Sequence, residues 1–248
     1  MSDMSTETAP LDLAEINAMF ETATPSKIVE WAVAQWGDEV VLSSSFGAES
    51  ALMIHLAIQH KPDIRVTMVD TGYLFPETWQ HMEELRRRFN LNVWVYRTKN
   101  DPIAYLKAAG ETDPTYRNNV DACCAVNKNE PFDRAMAELR PQGWLRGVRG
   151  NQTQDRKSMK FVEWSERYNC YAVSPLLNWS TKDIYQYMKQ NDLPYHPLYE
   201  QGYLSIGCNP ASCTRAVQAG EDPRAGRWAG KNKVECGLHL GSLDSSQL

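Results

Sequence analysis

Five of the six cysteines fall at three places: Cys123-Cys124, then Cys208 and Cys213, then Cys236 within Glu235-Cys236-Gly237-Leu238-His239. Adjacent thiols do not readily close a disulfide on each other. Cysteine pairs far apart in sequence suit a metal or cluster, because soft thiolates ligate zinc and iron–sulfur centres. A single cysteine in a polar tail suits a nucleophile, because the thiolate is the reactive form and nearby cations favour it. Arg224, Arg227, Lys231 and Lys233 precede Cys236, and His239 follows it. Two pieces of chemistry are therefore predicted, a thiolate-ligated centre and a reactive thiol. Cys170 lies outside every motif and is expected to be a buried small apolar residue.

Three further segments could hold an anion. Ser43-Ser44-Ser45-Phe46-Gly47-Ala48-Glu49-Ser50 leads from an apolar strand into a helix. Small hydroxyl residues and a glycine let the backbone curl, and the helix N-terminus adds positive potential. The Gly-Lys-Ser/Thr ending of a Walker A loop is missing. Asp70-Thr71-Gly72 reads either as a simple Asx-type turn or as a wall of a nucleotide pocket. Arg146, Arg149, Gln152 and Arg156 follow another strand, and arginine forks match phosphate and sulfate oxygens.

The elements that must position these residues alternate. Strands are predicted at Val40-Val41-Leu42, Ile64 to Val69, Val93 to Tyr96, Trp144 to Arg149 and Tyr171 to Val173. Ala51 to Ile58 reads as a buried helix, Glu77 to Phe89 as an exposed charged one, and Ser180 caps another. This order predicts an α/β fold, a mostly parallel sheet with helices on both faces. Ligands of such sheets sit beyond the carboxyl ends of the strands at a topological switch point, where the motifs fall. Residues 1–25 read as a loose arm carrying a short amphipathic helix from Asp12 to Phe20. Residues 26–207 read as the nucleotide-binding domain, and residues 208–248 as a glycine- and arginine-containing tail with the second cysteine pair and Cys236. The chain of 248 residues, 42% hydrophobic and 23% charged, suits a globular protein. A net charge of −5 argues against a general nucleic-acid binder. No apolar run approaches the roughly 20 residues of a membrane span. The polar N-terminus lacks a secretory pattern, and the sparse cysteines suit a reducing compartment, so a cytoplasmic protein is expected.

Taken together, these segments resemble the assimilatory adenylyl-sulfate and phosphoadenylyl-sulfate reductases. The resemblance is carried by the serine–glycine turn, by Val69-Asp70-Thr71-Gly72-Tyr73-Leu74-Phe75-Pro76-Glu77-Thr78 and by Gly147-Val148-Arg149-Gly150-Asn151-Gln152-Thr153. It continues through Pro194-Tyr195-His196-Pro197-Leu198-Tyr199, Gly220-Glu221-Asp222-Pro223-Arg224-Ala225-Gly226-Arg227-Trp228 and the Cys236 segment. The last two motifs are the most specific. The resemblance implies an adenine-nucleotide α-hydrolase-like fold and reduction of a sulfonucleotide to sulfite. Cys236 matches the family nucleophile, which would form an S-sulfocysteine that thioredoxin or glutaredoxin resolves. The implied catalytic set is Cys236, His239 and Lys128. The implied substrate-binding set is Ser43, Ser44, Ser45, Phe46, Gly47, Asp70, Thr71, Gly72, Gly147, Arg149, Gln152, Arg224 and Arg227. A homo-oligomer is expected.

In the adenylyl-sulfate branch of that family, such cysteines bind a 4Fe-4S cluster, which here implies Cys123, Cys124, Cys208 and Cys213. Lys128 matches a family lysine between cluster and substrate, and Asn127 replaces the arginine beside it. Four residues lie between Cys208 and Cys213 where the branch has two. A spacing of four occurs in plant-type ferredoxins, so the cluster is the expectation. Zinc, a regulatory disulfide and a vestigial site are the competing readings. The expected substrate is adenylyl sulfate, with phosphoadenylyl sulfate as the alternative. An adenylyltransferase of the pyrophosphatase-loop type would leave Cys236 without a role, and an iron–sulfur redox sensor would make it dispensable.

Overall fold

The computed structural model describes residues 11–99, 120–209, 213–231 and 233–239. Pro210 and Ser212, expected in a compact turn between the second cysteine pair, lie outside the described residues, as does the polar N-terminus. Six strands form one sheet in the order β3-β2-β1-β4-β6-β5. They are β1 (Val40–Ser43), β2 (Arg65–Asp70), β3 (Asn92–Arg97), β4 (Gly143–Arg146), β5 (Val162–Ser165) and β6 (Cys170–Val173). Every pairing is parallel except β5 with β6. The chain steps outward from β1 to β2 and β3, then returns to the other side of β1 for β4. The switch point therefore lies between β1 and β4, where a ligand crevice opens.

β1 reads as an unbroken apolar run because both of its faces are covered. Val40 and Leu42 enter the larger core with α2 (Pro25–Trp36), α3 (Ser50–His60), α4 (Pro76–Phe89) and α7 (Thr181–Gln190). Val41, Trp144, Cys170 and Ala172 face a second cluster. That cluster includes Phe132 and Met136 of α6 (Glu130–Leu139) together with Trp228, Cys236 and Leu238. The tail thus roofs one face of the sheet. Cys170 is fully buried, as its sequence context suggests.

Several expectations are corrected. The fourth strand ends at Arg146, so Gly147 to Arg149 belong to the loop beyond it. The α4 helix is not simply exposed, since it buries Thr78, His81, Met82 and Leu85, with His81 meeting Ser50 of α3 and Thr78 meeting His196. Of the segment expected to be a loose arm, residues 11–25 are docked. Its helix α1 (Leu13–Phe20) is capped by Asp12 and buries Phe20, and α2 follows with Thr24 as cap and Pro25 in its first turn. Asn17 completes the open side of β5: its Nδ2 donates to the Val162 carbonyl at 2.8 Å, and its Oδ1 accepts the Val162 N–H at 3.0 Å. Asn17→Ala is expected to cost about 1–3 kcal/mol in denaturant unfolding, since two backbone groups lose their partner. Unchanged stability would show that water replaces the contact at no cost. Among the described residues, no helix is long and apolar enough to cross a membrane.

Candidate active site

The loops at the carboxyl ends of β1, β2 and β4 enclose a cavity of about 270 Å³. Its wall contains Ser43, Ser44, Ser45, Gly47, Thr71, Gly147, Arg149 and Gln152 from those loops. The tail adds Arg224, Arg227, Cys236 and His239, and the helical segment after β3 adds Lys128. Three expected contacts stand behind the wall. Phe46 is wholly buried, in a left-handed conformation (φ 47°), so its ring anchors the serine turn in the core. The Asp70 carboxylate is held by the Arg97 guanidinium at 2.6 Å and accepts the Gly72 N–H at 2.8 Å. Asp70 and Gly72 therefore form the simple Asx turn, which presents Thr71 to the cavity.

Lys128 is placed by a change of helical pitch. The α5 helix (Val120–Cys124) continues as a π-helical turn, Ala125–Asn129, before α6 begins. This turn brings the half-buried Lys128 ammonium to the cavity wall beside Cys236, where its charge acts on the thiol. Burial alone would raise the thiol's pKa. Lys128 and a backbone hydrogen bond from Leu238 overcome that, and Cys236 falls below the ordinary thiol value. Lys128 moves the other way: burial opposes its charge, but Cys236 raises its pKa above the ordinary amine value. The two shifts favour a thiolate beside an ammonium, the form of an activated nucleophile. His239 has a different part. It stacks on Trp144 with ring centroids 5.5 Å apart, and burial together with Arg156, Arg146, Lys128 and Arg224 holds it well below its usual pKa. Its imidazole is neutral and adds no positive charge beside the thiolate.

The remaining cations crowd the wall. Arg149 pairs with Glu49 at 2.9 Å, and Arg156 pairs with Glu235 at 2.7 Å. Arg146 is taken out of the anion-binding group: it lies on β4 itself, locked to Glu163 and Ser174. Arg227 donates to the Ile206 carbonyl at 3.1 Å, while its buried Nε and the Arg149 Nη1 have no partner. A Cβ on Gly207 would fall 2.4 Å from the Arg227 guanidinium, so glycine there is what lets the arginine reach the cavity. Burial pushes the Arg224 guanidinium down to about 10, with Arg156 and Arg227 adding repulsion against the opposing pull of Glu235. Buried cations with unmet donors are a site for an anion.

Four of the five other thiols reach the same cavity: Cys123 and Cys124 from α5, Cys208 and Cys213 from the tail. Burial first, then Cys124, pushes the Cys123 thiol up to about 12; Asn127 opposes the shift, and Cys208 and Cys213 add to it. Burial pushes Cys124 up to about 11, against the pull of Lys128. Thr71 Oγ1 lies 3.3 Å from Cys208 Sγ. Asn127 donates to Cys123 Sγ at 3.7 Å, the contact that the residue in the arginine's place makes. Among the described residues, no three such groups stand at metal-ligand spacing. Cys123, Cys124, Cys208 and Cys213 are the soft donors an iron–sulfur group takes, but they would have to draw closer than they stand to hold one.

Residues 39–216 match the phosphoadenosine phosphosulfate reductase domain family. A phosphoadenosine 5'-phosphosulfate reductase of Synechococcus sp. is 42% identical over 230 residues, 92% of this chain and 97% of its own length. The chain belongs to this family. A reductase of the same name from Salmonella choleraesuis is 39% identical over 93% of each chain. Among solved structures, the phosphoadenylyl-sulfate reductase of Candida auris, a phosphate complex, superposes with a TM-score of 0.69 at 22% identity, covering 82% of this chain and 97% of that one. FMN adenylyltransferase of Candida glabrata shares the fold with a TM-score of 0.57 at 16% identity, covering 82% and 66%. The α-hydrolase-like sheet of this reductase-family member is thus shared with nucleotide enzymes of other chemistry. The sequence motifs did not single out Glu49 or Glu235, whose partners lie far along the chain.

Proposed function

We propose that this chain reduces a sulfonucleotide with Cys236 as the nucleophile. The observation that carries the reading is the Cys236–Lys128 pair inside an arginine-lined cavity at the strand ends. The Cys236 thiolate attacks the sulfonate sulfur. An S–S bond forms, the sulfur–oxygen bond to the phosphate breaks, and the nucleotide leaves with the electron pair. Arg149, Arg224 and Arg227 offset the repulsion between thiolate and anionic substrate. A thiolate of a dithiol protein, thioredoxin or glutaredoxin, then attacks Cys236 Sγ, and sulfite leaves with the electron pair. The donor's second thiol frees Cys236, so the dithiol supplies both electrons. Cys236 is only 7% exposed, so the tail must open before a protein reductant reaches it.

The names of the relatives favour phosphoadenylyl sulfate as the substrate, giving sulfite and adenosine 3',5'-bisphosphate. Adenylyl sulfate, giving sulfite and AMP, is the second reading, and the thiol quartet is what favours it. Cys123, Cys124, Cys208 and Cys213 would hold a 4Fe-4S cluster. Bound there, it would supply an electrostatic influence beside the substrate. Equal iron and acid-labile sulfide in anaerobically purified protein would support this, and a colourless protein with neither would remove it. The substrates differ by one phosphate, whose charged hydrogen bonds are worth about 1.5–3 kcal/mol, or roughly 10- to 150-fold in kcat/KM. A thioredoxin-coupled assay with both nucleotides is expected to favour the 3'-phosphorylated one by that margin. The reverse preference selects the second reading, and turnover of neither refutes the proposal.

A further inference from the structure

We propose that Glu235 is the positioning residue of the catalytic tail, seating Cys236 on Lys128 through an ion pair with Arg156. The inference rests on the reading of Cys236 as the nucleophile and names what holds it in place. The Glu235 side chain is buried, and the hydrogen bonds that its carboxylate accepts come from far away in sequence. Oε1 accepts Arg156 Nε at 2.7 Å and Thr153 Oγ1 at 2.9 Å, while Oε2 accepts Arg156 Nη2 at 2.9 Å. Arg224 Nη2 stands 3.7 Å from Oε1. A two-point carboxylate–guanidinium pair fixes angle as well as distance. The residue next in the chain is Cys236, so the pair sets the thiol's register.

Ahead of Glu235, Lys233 pairs with Asp121 and Arg224 donates to the Val234 carbonyl at 2.9 Å; the anchors after Cys236 are longer. Arg167 donates to the Gly237 carbonyl at 3.2 Å, Arg146 to the His239 carbonyl at 3.4 Å, and Tyr168 to the Leu238 carbonyl at 3.5 Å. Each meets a single backbone oxygen, and Gly237 has φ 83°, so the chain can pivot there. The ion pair of Glu235 grips the segment at two points, through the side chain next to the thiol-bearing residue. Thr153 and Arg156 belong to the loop after β4, which also presents Arg149 to the cavity. Gln152 Oε1 links them, accepting from the Arg149 N–H at 3.3 Å and from Arg156 Nη1. The nucleophile is therefore registered to the loop that carries an anion-binding arginine. Neutralising Glu235 would leave the buried Arg156 charge without its partner, so the closed tail should be lost rather than adjusted.

The test uses the full chain, without nucleotide, and reads amide hydrogen exchange across residues 233–239 beside steady-state kinetics. Glu235→Gln is expected to speed exchange in that segment at least about ten-fold and to lower kcat at least about ten-fold. KM should stay within about two-fold, because the loss is of alignment and not of substrate contact. The exchanged pair Arg156→Glu with Glu235→Arg should recover part of both losses. Wild-type exchange in Glu235→Gln, or an effect confined to KM, overturns the proposal; the latter would make Arg156 a substrate contact that Glu235 merely holds. If Glu235→Gln loses protection throughout the sheet, Glu235→Asp decides, since its shorter arm keeps the charge but displaces the tail. Unchanged exchange and kcat in that variant overturn the proposal. The exchange result stands apart from the functional reading: a wild-type chain that turns over no sulfonucleotide would refute that reading while the latch could still be measured.

Discussion

Cys236→Ser is expected to lower sulfite release about 10⁴-fold or more, the scale on which a covalent nucleophile's removal is felt. A serine hydroxyl cannot ionise at neutral pH beside Lys128, so the attacking anion is lost. Its oxygen also could not be returned by a dithiol, because the second step needs a sulfur on which the donor thiolate can displace sulfite. The substitution is small and the site is closed, so the fold should persist. Nucleotide affinity, measured by equilibrium titration, should stay within about three-fold because Arg149, Arg224 and Arg227 are untouched. Retained turnover would eliminate Cys236 as the nucleophile. Loss of nucleotide binding would show that Cys236 holds the cavity's shape.

Lys128→Met is expected to lower kcat about 100-fold near pH 7 while keeping most of the buried volume. The sign follows from the two shifts. Cys236 is held below the ordinary thiol value in the closed protein, so its contribution is fully present above that value and fades as pH falls through the lowered one. Lys128 is held above the ordinary amine value, so its contribution is fully present below that value and fades as pH rises through the raised one. The pair is therefore intact in the window between its lowered thiol and raised amine values. Without the ammonium, burial dominates and the thiol's pKa rises. The acid limb of the pH–rate profile should move to higher pH, and activity should partly return in alkaline buffer. An unshifted acid limb would mean that another cation activates the thiol.

Much of the architecture was legible because the central strands are apolar and the helices carry their own caps. Val40 to Leu42, the buried α3 and the Ser180 cap all signal locally. The β5 strand was not legible: Val162-Glu163-Trp164-Ser165 is a short edge strand whose tryptophan is 38% exposed, and its partner Asn17 is 145 residues away. The α2 helix carries its signal in Thr24 and Pro25, close to the polar N-terminus. In the site, Cys236 and the arginine loops were readable from residue type. Which arginine meets which carboxylate was not, because Glu235 finds Arg156 across 79 positions. Sequence position also made His239 look like a cation, whereas burial among real cations makes it neutral. Asn127 looked like a loss relative to the family pattern, yet one turn of helix places its amide on Cys123.

The most direct measurement of the central claim is mass spectrometry of the protein mixed with sulfonucleotide in the absence of any thiol donor. The expected result is a stoichiometric sulfonate adduct on the peptide carrying Cys236, removed when thioredoxin is added, with sulfite released in equal amount. An adduct on another cysteine, or sulfite formed with Cys236 unmodified throughout, would contradict it.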